Sequence, residues 1–463
     1  MSVAYKLEQD VLQANFSAIQ GASQRQTFNY GLAAGPCSLS SRTKAYTSAA
    51  SAKVDFDAGL ISAEQYRAVT DAFNQATNKP TRVYVGRVDY SVAKVVTIAL
   101  TGTDDGAWVV TLNGSPYTFT ASGSTTDEAG TGLQGEINGS DDFTAAFDSG
   151  TDVLTITGLK GDDYTVEVSS PNSNLGAPTT TTAALSIADE LDEVLSESDA
   201  WAGFSLVDTT PDDRDVELAA LWGQNNARLY CQQLGAASVK DATDDLTTRT
   251  KAISIFGGWG WFHAATAEQF VFSLMCERLT ANPDLESPGW SAVPLTGFTP
   301  TTLTPDEATN LRAKGIGFYS TLLGKSVTSK VSALGGDLRP DNVLGMYWAR
   351  QRIMEDWANL AISYAQTKRK IPYNDQGFQL VAEPVRRRLQ QGVDVEHFLD
   401  GSVRVIVPTL ADLEETSDFS AKRVPIQAGV VNLDGVEAFE LDAYGFNSLT
   451  SLIDVFGKPE TLT

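Results

Sequence analysis

Residues 91–200 differ so sharply from the rest of the chain that one uniform fold cannot hold both. This window carries 18 acidic side chains against two basic ones, Lys94 and Lys160. It therefore supplies −16 of the formal net charge of −24, whereas the other 353 residues carry 40 acids and 32 bases. The window is dense in Thr, Ser, Gly and Asp. It also contains short alternating runs: VVTIAL (95–100), AWVVTL (107–112), YTFTA (117–121), VLTIT (153–157) and YTVEV (164–168). Alternation with period two marks strands with one buried face. Asn113-Gly114, Asn138-Gly139 and Gly161-Asp162-Asp163 lie between the runs, where tight turns are expected. We read an all-β module of about seven short strands over 91–183, inserted into a different host fold. Its acidity reads as a solvated outer face. The Asp pairs at 104–105, 141–142 and 162–163 lack the spacing of a calcium loop.

The host reads as α/β on both sides of the insert. Residues 62–76 form a helix with Tyr66, Val69 and Phe73 on one face; Lys79-Pro80 breaks it, and a strand covers 81–88. Beyond the insert, helices are predicted over 184–198 (Leu185, Ala188, Leu191, Leu195) and 213–234. A strand is predicted over 252–256 and a helix over 266–281. After a Pro- and Gly-rich loop (282–305), Thr304, Pro305 and Glu307 make a capping box with Pro at the first helical position. A long helix over 340–367 has Leu344, Tyr347, Ile353, Trp357, Leu360 and Tyr364 along one face, a stripe that reads as core. A helix over 375–391 and strands over 403–408, 424–432 and 436–444 follow. The fold class is α+β: a mixed α/β core in two units (26–90 plus 184–338, and 339–445) around the inserted module, with arms at 1–25 and 446–463.

Composition excludes several functions. An acidic chain lacks the basic surface needed to bind nucleic acid or an anionic membrane. There is no apolar run of 18 residues for a transmembrane helix. Three cysteines, Cys37, Cys231 and Cys276, cannot form a disulfide framework, and the first residues lack a signal-peptide layout, so assembly in a cytoplasm is expected. Only two histidines exist. His263 sits in the aromatic run WGWFHAAT and reads as structural; His397 sits in a polar turn and reads as exposed. No nucleophile elbow, H-E-x-x-H or paired C-x-x-C occurs. Gly324-Lys325-Ser326 mimics the end of a phosphate-binding loop, but Tyr319 stands where that loop requires glycine, and Gly257-Gly258-Trp259-Gly260 is no dinucleotide fingerprint. No catalytic residue, metal or cofactor is expected.

Several segments together resemble one family, the contractile tail sheath proteins of tailed bacteriophages. They are FNYGLAAG (28–35), AYTSAASAKVDFD (45–57), AFNQATNKPTRVYVGRV (72–88) and LNGSPYTFTASG (112–123). After the insert come NPDLESPGWSAVPLTGFTPTTLTPDEATNLRAKGIGFY (282–319), IPYNDQGF (371–378), VIVPTL (405–410) and KRVPIQAGVVNLDGVEAFEL (422–441). They occur in the family's order and cover most of the chain outside 125–200.

The resemblance implies a structural subunit, not an enzyme, that stacks as hexameric rings around a tail tube within the virion. Its partners would be further copies, the tube protein, and baseplate and terminator proteins. It implies an outward-facing insert, an innermost C-terminal unit (339–445), and arms that add strands to neighbours' sheets, with Gly21, Gly445 and Asn447 as hinge candidates. For contact with the tube or a neighbour the candidates are Lys368, Arg369 and Lys370, which also read as solvated charges at a helix end, and Arg386, Arg387 and Arg388, where three adjacent helical positions span nearly 200° and one must meet the core or a partner. Two other classes remain open on sequence: an α/β enzyme with a β accessory domain, and a surface adhesion protein with an Ig-like module.

Overall fold

The computed structural model describes residues 28–122, 125–207, 212–413, 424, 426–430 and 432–433. Both expected arms, the strand expected over 436–444, and Gly21, Gly445 and Asn447 lie outside these residues.

The fold is mixed α/β. Strand β1 (Gly31–Gly35) is followed by β2 (Thr43–Tyr46), α1 (Ala49–Asp57), α2 (Ala63–Phe73) and β3 (Val83–Arg87). Helix α2 starts in a capping box between Ser62 and Gln65. The Gln65 amide also donates to the carbonyls of Gly35 (3.0 Å) and Gly86 (3.1 Å), tying the helix start to the ends of two parallel strands.

The inserted segment holds β4 (Ala93–Ala99), β5 (Gly106–Leu112), β6 (Ser115–Ala121), α3 (Thr126–Ile137), β7 (Phe143–Asp148), β8 (Val153–Lys160), β9 (Val166–Ser169) and β10 (Thr179–Thr182). They form a four-stranded sheet, β10-β4-β8-β7, and a three-stranded sheet, β6-β5-β9. The core here, including Trp108, Val110, Leu133, Leu154 and Ile156, is a cluster of its own. The all-β expectation is corrected by α3. Thr125 caps it, Asp127 and Glu128 favour its positive end, and Ala129, Leu133 and Ile137 are buried at helical spacing. Its side chains also close the outer edge of β7: Asn138 pairs with both backbone groups of Ala145, and Gln134 accepts from Phe147 N–H. The insert is fastened to the host by Lys160 with Asp212 (3.3 Å), Asp162 with Arg214 (3.1 Å), and Ser91 N–H with buried Asp215 (3.0 Å).

The chain returns through α4 (Ile187–Glu197), β11 (Gly203–Leu206), α5 (Asp213–Asn225), β12 (Leu229–Leu234), α6 (Asp245–Ala252), β13 (Gly258–Phe262), α7 (Phe270–Arg278), α8 (Pro305–Ala313), β14 (Gly317–Leu322) and β15 (Lys325–Thr328). One eight-stranded sheet results, in the order β15-β14-β13-β12-β11-β1-β3-β2. Its inner pairs are parallel and its two edge pairs antiparallel. One apolar cluster (Val83, Val85, Trp259, Trp261, Phe272, Met275) packs with α2 and α7; a second (Phe204, Leu206, Tyr230, Leu191, Val216) packs with α4 and α5.

Two sequence expectations fail within this sheet. The helix expected over 213–234 stops at Asn225, Ala227 turns the chain at φ 53°, and 229–234 is strand β12. The strand expected over 252–256 is instead the end of α6 and a turn at Ser254 (φ 55°); the strand is the next segment, GWGWF. There glycines face α5, where a Cβ on Gly258 would stand 2.6 Å from the Ala220 Cβ, and tryptophans fill the opposite core. The segment bearing Gly324-Lys325-Ser326 is the β14–β15 hairpin, with Leu323 and Gly324 as its turn.

The C-terminal part comprises α9 (Pro340–Gln366), α10 (Asp375–Asp394), β16 (Arg404–Ile406), α11 (Leu410–Leu413) and β17 (Gln427–Gly429). Strands β16 and β17 pair antiparallel as a two-stranded sheet.

Candidate functional site

The two basic clusters both fall on the α9–α10 helical hairpin. In α9, Leu344, Tyr347, Ile353 and Trp357 are buried, as the apolar stripe requires. In α10, Phe378, Ala382, Val385 and Leu389 are buried at steps of four, three and four. The indole N–H of Trp357 donates to the Val381 carbonyl at 2.7 Å, fixing the register of the two helices.

Helix α9 ends in a Schellman motif: Arg369 N–H bonds to Tyr364 O and Lys368 N–H to Ala365 O, with Lys368 left-handed at φ 55°. Lys368, Arg369 and Lys370 are all exposed beyond this end. Three cations there complement the helix dipole and leave their charge facing solvent.

The arginine cluster behaves differently. Arg388 makes a two-pronged contact with Asp356 of α9, Nε to Oδ2 at 2.6 Å and Nη2 to Oδ1 at 2.9 Å. Arg387 adds a contact to Asp356 Oδ2 at 2.8 Å, and Arg386 bonds Gln379 at 2.8 Å. The member that meets the core is thus Arg388, and it holds the hairpin together. Burial alone would raise the Asp356 pKa, but the hydrogen bonds from Arg388 and Arg387 outweigh it and hold the carboxyl below its ordinary range. Asp356→Asn is expected to cost about 2 kcal/mol of stability, read as a shifted urea midpoint. Because the folded pKa is depressed, that contribution is present above about pH 4 and fades as the pH falls below it. An unchanged midpoint at neutral pH would remove the carboxylate from the hairpin's support.

The loop after α7 meets this hairpin through Asp284. Its Oδ1 accepts from Trp348 Nε1 (2.9 Å) and Arg352 Nε (3.0 Å), and its Oδ2 from Arg352 Nη2 (3.0 Å). Its backbone carbonyl accepts from Gln391 Nε2 at 3.2 Å. Sequence reasoning singled out the loop but not this residue; Glu286 lies two positions on, so no local signal marked Asp284.

His397 corrects an expectation: it is buried, not exposed. Its Nε2 donates to the Pro283 carbonyl (2.8 Å) and its ring lies 5.1 Å from that of Trp348. His263 is structural as expected, fully buried with Nε2 2.9 Å from Glu268 Oε2. Burial lowers the pKa of both imidazoles despite the neighbouring acceptors, so at neutral pH the His263–Glu268 contact is a hydrogen bond to a neutral ring. Neither ring reaches solvent to exchange protons with a substrate.

Of the acidic pairs, Asp162 holds Arg214, Asp163 holds Lys94 (2.8 Å) and Asp104 holds Asn174 (2.8 Å). Among the described residues there is no group of three or more His, Cys, Asp or Glu placed to hold a metal, and no helix long and apolar enough to cross a membrane. The chemistry on offer is that of surfaces: an exposed cationic end on the helical hairpin and an acidic insert.

No protein-family model matches the chain, and no curated protein matches it. Among solved structures, the chain is similar to the helical sheath of the anti-feeding prophage in its contracted state. That match has a TM-score of 0.49 at 10% identity and covers 92% of this chain and 94% of that one. It is also similar to a sheath tail protein from Listeria innocua (TM-score 0.41, 10% identity, 90% and 97% covered). A third is a sheath tail protein from Desulfitobacterium hafniense (TM-score 0.40, 11% identity, 89% and 99% covered). These structures are sheath proteins, as is the family that the sequence segments resemble.

Proposed function

We propose that this chain is a non-catalytic structural subunit of a contractile tail sheath, polymerising as stacked hexameric rings around a tail tube and shortening to drive that tube through a target envelope. The observation that carries this reading is where the sheath-like segments lie. FNYGLAAG leads into and forms β1; AYTSAASAKVDFD spans the end of β2 and all of α1; AFNQATNKPTRVYVGRV runs from α2 through β3 to the point where the insert departs. Residues 282–319 form the Asp284 loop, α8 and the start of β14, and IPYNDQGF turns the helical hairpin. A resemblance carried by framework segments fits a protein whose work is done by rigid surfaces.

In this reading 26–90 and 184–338 form the middle unit, 91–183 faces outward, and 339–445 faces the tube. The β16–β17 sheet has only two strands of three residues, less than stands alone in water. Strands added by the arms (1–25 and 446–463) of neighbouring copies would complete it by β-augmentation, with Gly21, Gly445 and Asn447 as hinges. Baseplate and terminator proteins would bound the polymer in a phage virion or a related contractile particle.

Purified full-length chain at high concentration is expected to form tubes or stacked rings in negative-stain micrographs; monomers at every concentration would sink the reading. Arg387 and Arg388 serve Asp356, so substituting them tests the hairpin and not the tube. The exposed cluster is the cleaner probe. Lys368→Gln, Arg369→Gln and Lys370→Gln together should leave the melting temperature in place and weaken attachment to purified tube protein, most at low salt.

A further inference from the structure

Two hairpins in this chain close on the same turn. Strands β5 and β6 close through Asn113 (φ 49°) and Gly114 (φ 82°), and β14 and β15 through Leu323 (φ 49°) and Gly324 (φ 81°). Positive φ at both central residues defines a type I′ turn, which favours Asn, Asp or Gly at its first position because their side chains tolerate the left-handed backbone. The insert follows that rule. The main sheet places leucine there. Among the eleven non-glycine residues at positive φ in the described chain, Leu323 is the one large apolar side chain.

Among the described residues no packing offsets that strain. Leu323 is 98% exposed, and Leu322 beside it is 61% exposed. A strained backbone retained without a packing partner points to a role outside the fold, and an adjoining pair of exposed leucines is the kind of anchor that fills a pocket on a partner. The strand that follows begins with exposed Lys325, which discourages backbone pairing along this edge and leaves the side-chain tip as the mode of contact.

We infer that Leu322 and Leu323 form an apolar plug through which this corner of the main sheet docks onto a second copy of the chain. The inference rests on the sheath reading, which makes the chain its own main partner. The charge pattern favours that occupant. The plug carries a cationic flank in Lys325, while the chain bears a net charge of −24, with 18 acids and two bases in residues 91–200. A copy therefore offers acidic surface to an apolar tip with a positive rim. Thr321, Gly324 and Ser326 around the tip are small and uncharged, so nothing bulky holds the partner away.

The test compares full-length wild type, Leu323→Asn, Lys325→Glu and the mirror variant Asn113→Leu by sedimentation velocity and negative-stain microscopy over a concentration series, with thermal unfolding alongside. Leu323→Asn relieves the turn, so its melting temperature should equal or exceed that of wild type while self-association weakens about tenfold or more. Lys325→Glu should weaken association at low salt and approach wild type at high salt. Asn113→Leu should melt earlier and associate normally. If wild type and Leu323→Asn form tubes at the same concentration, the plug is wrong and the sheath reading stands. If wild type stays monomeric throughout, both are wrong. Unchanged self-association with lost attachment to purified tube protein would overturn the second copy as the occupant.

Discussion

Replacing Asp284 with alanine is expected to cost about 3 kcal/mol of folding stability, the low end for breaking a buried ion pair. The reason is the company this carboxylate keeps. Arg352 is buried on α9, its guanidinium over the Phe28 ring (5.5 Å from the centroid). Asp284 takes its Nε and Nη2, while Glu355 takes its Nη1 at 2.9 Å. Alanine at 284 leaves half of that balance and strips Trp348 Nε1 of its acceptor. A buried charge deprived of a partner costs more than the pair itself stabilised, and this explains the expected size. The loop also accepts from Gln391 of α10 at Asp284 O and from His397, just beyond α10, at Pro283 O, so loosening it weakens the joint between the main sheet and the helices. Asp284→Asn keeps a neutral acceptor near Trp348 and should lose about half as much. Urea unfolding followed by tryptophan fluorescence gives both values; an alanine variant within about 0.5 kcal/mol of wild type would remove Asp284 from the joint.

What was legible in the sequence was whatever repeats or announces itself locally. The capping boxes at Ser62 and Thr304, the stripe on α9 and the alternation of the insert each specify an element from a few neighbours. The parallel strands were not legible in the same way. LYCQQL is covered on both faces, so it does not alternate and reads as a continuation of α5. Helix α3 was masked by three glycines that weaken its propensity. Packing explains two of them: a Cβ on Gly130 would lie 2.4 Å from the Phe147 ring, and one on Gly132 would lie 2.2 Å from the Phe119 ring.

The candidate site divides along the same line. The basic clusters were visible as charge, yet the pairing of Arg388 with Asp356 links positions 32 apart and depends on the hairpin's register. His397 sits in a turn after α10, but the ring that covers it, Trp348, comes from α9, far off in sequence. Leu323 was visible all along as an apolar residue before glycine. Only the turn geometry makes it anomalous.

Acid should weaken the fold as the pH falls below about 6.5, and the two histidines account for the slope. Each is neutral in the folded chain. Nε2 of His263 faces Glu268 and that of His397 faces the Pro283 carbonyl, while both Nδ1 atoms are buried without a hydrogen-bond partner among the described residues. Protonation would place an N–H at each Nδ1 with no acceptor. Burial is the main force lowering both pKa values; Glu268 at one site, and Pro283 O, Asp341 and Asp284 at the other, only partly oppose it. The unfolded chain therefore binds protons first as the pH drops through about 6.5, and stability declines from there toward the depressed folded pKa. Each ring contributes up to about 1.4 kcal/mol per pH unit within that window. Asp71 and Asp213, whose pKa values burial raises, slope the opposite way just above the ordinary Asp range, so a bare pH titration mixes the two effects. His263→Gln with His397→Gln separates them: glutamine presents an amide donor near the Nε2 position and cannot be protonated here. The double variant should retain most of its stability at pH 7.5 and lose most of the wild-type slope below about pH 6.5 in urea titrations. A variant with the same slope as wild type would assign the acid sensitivity to the carboxylates.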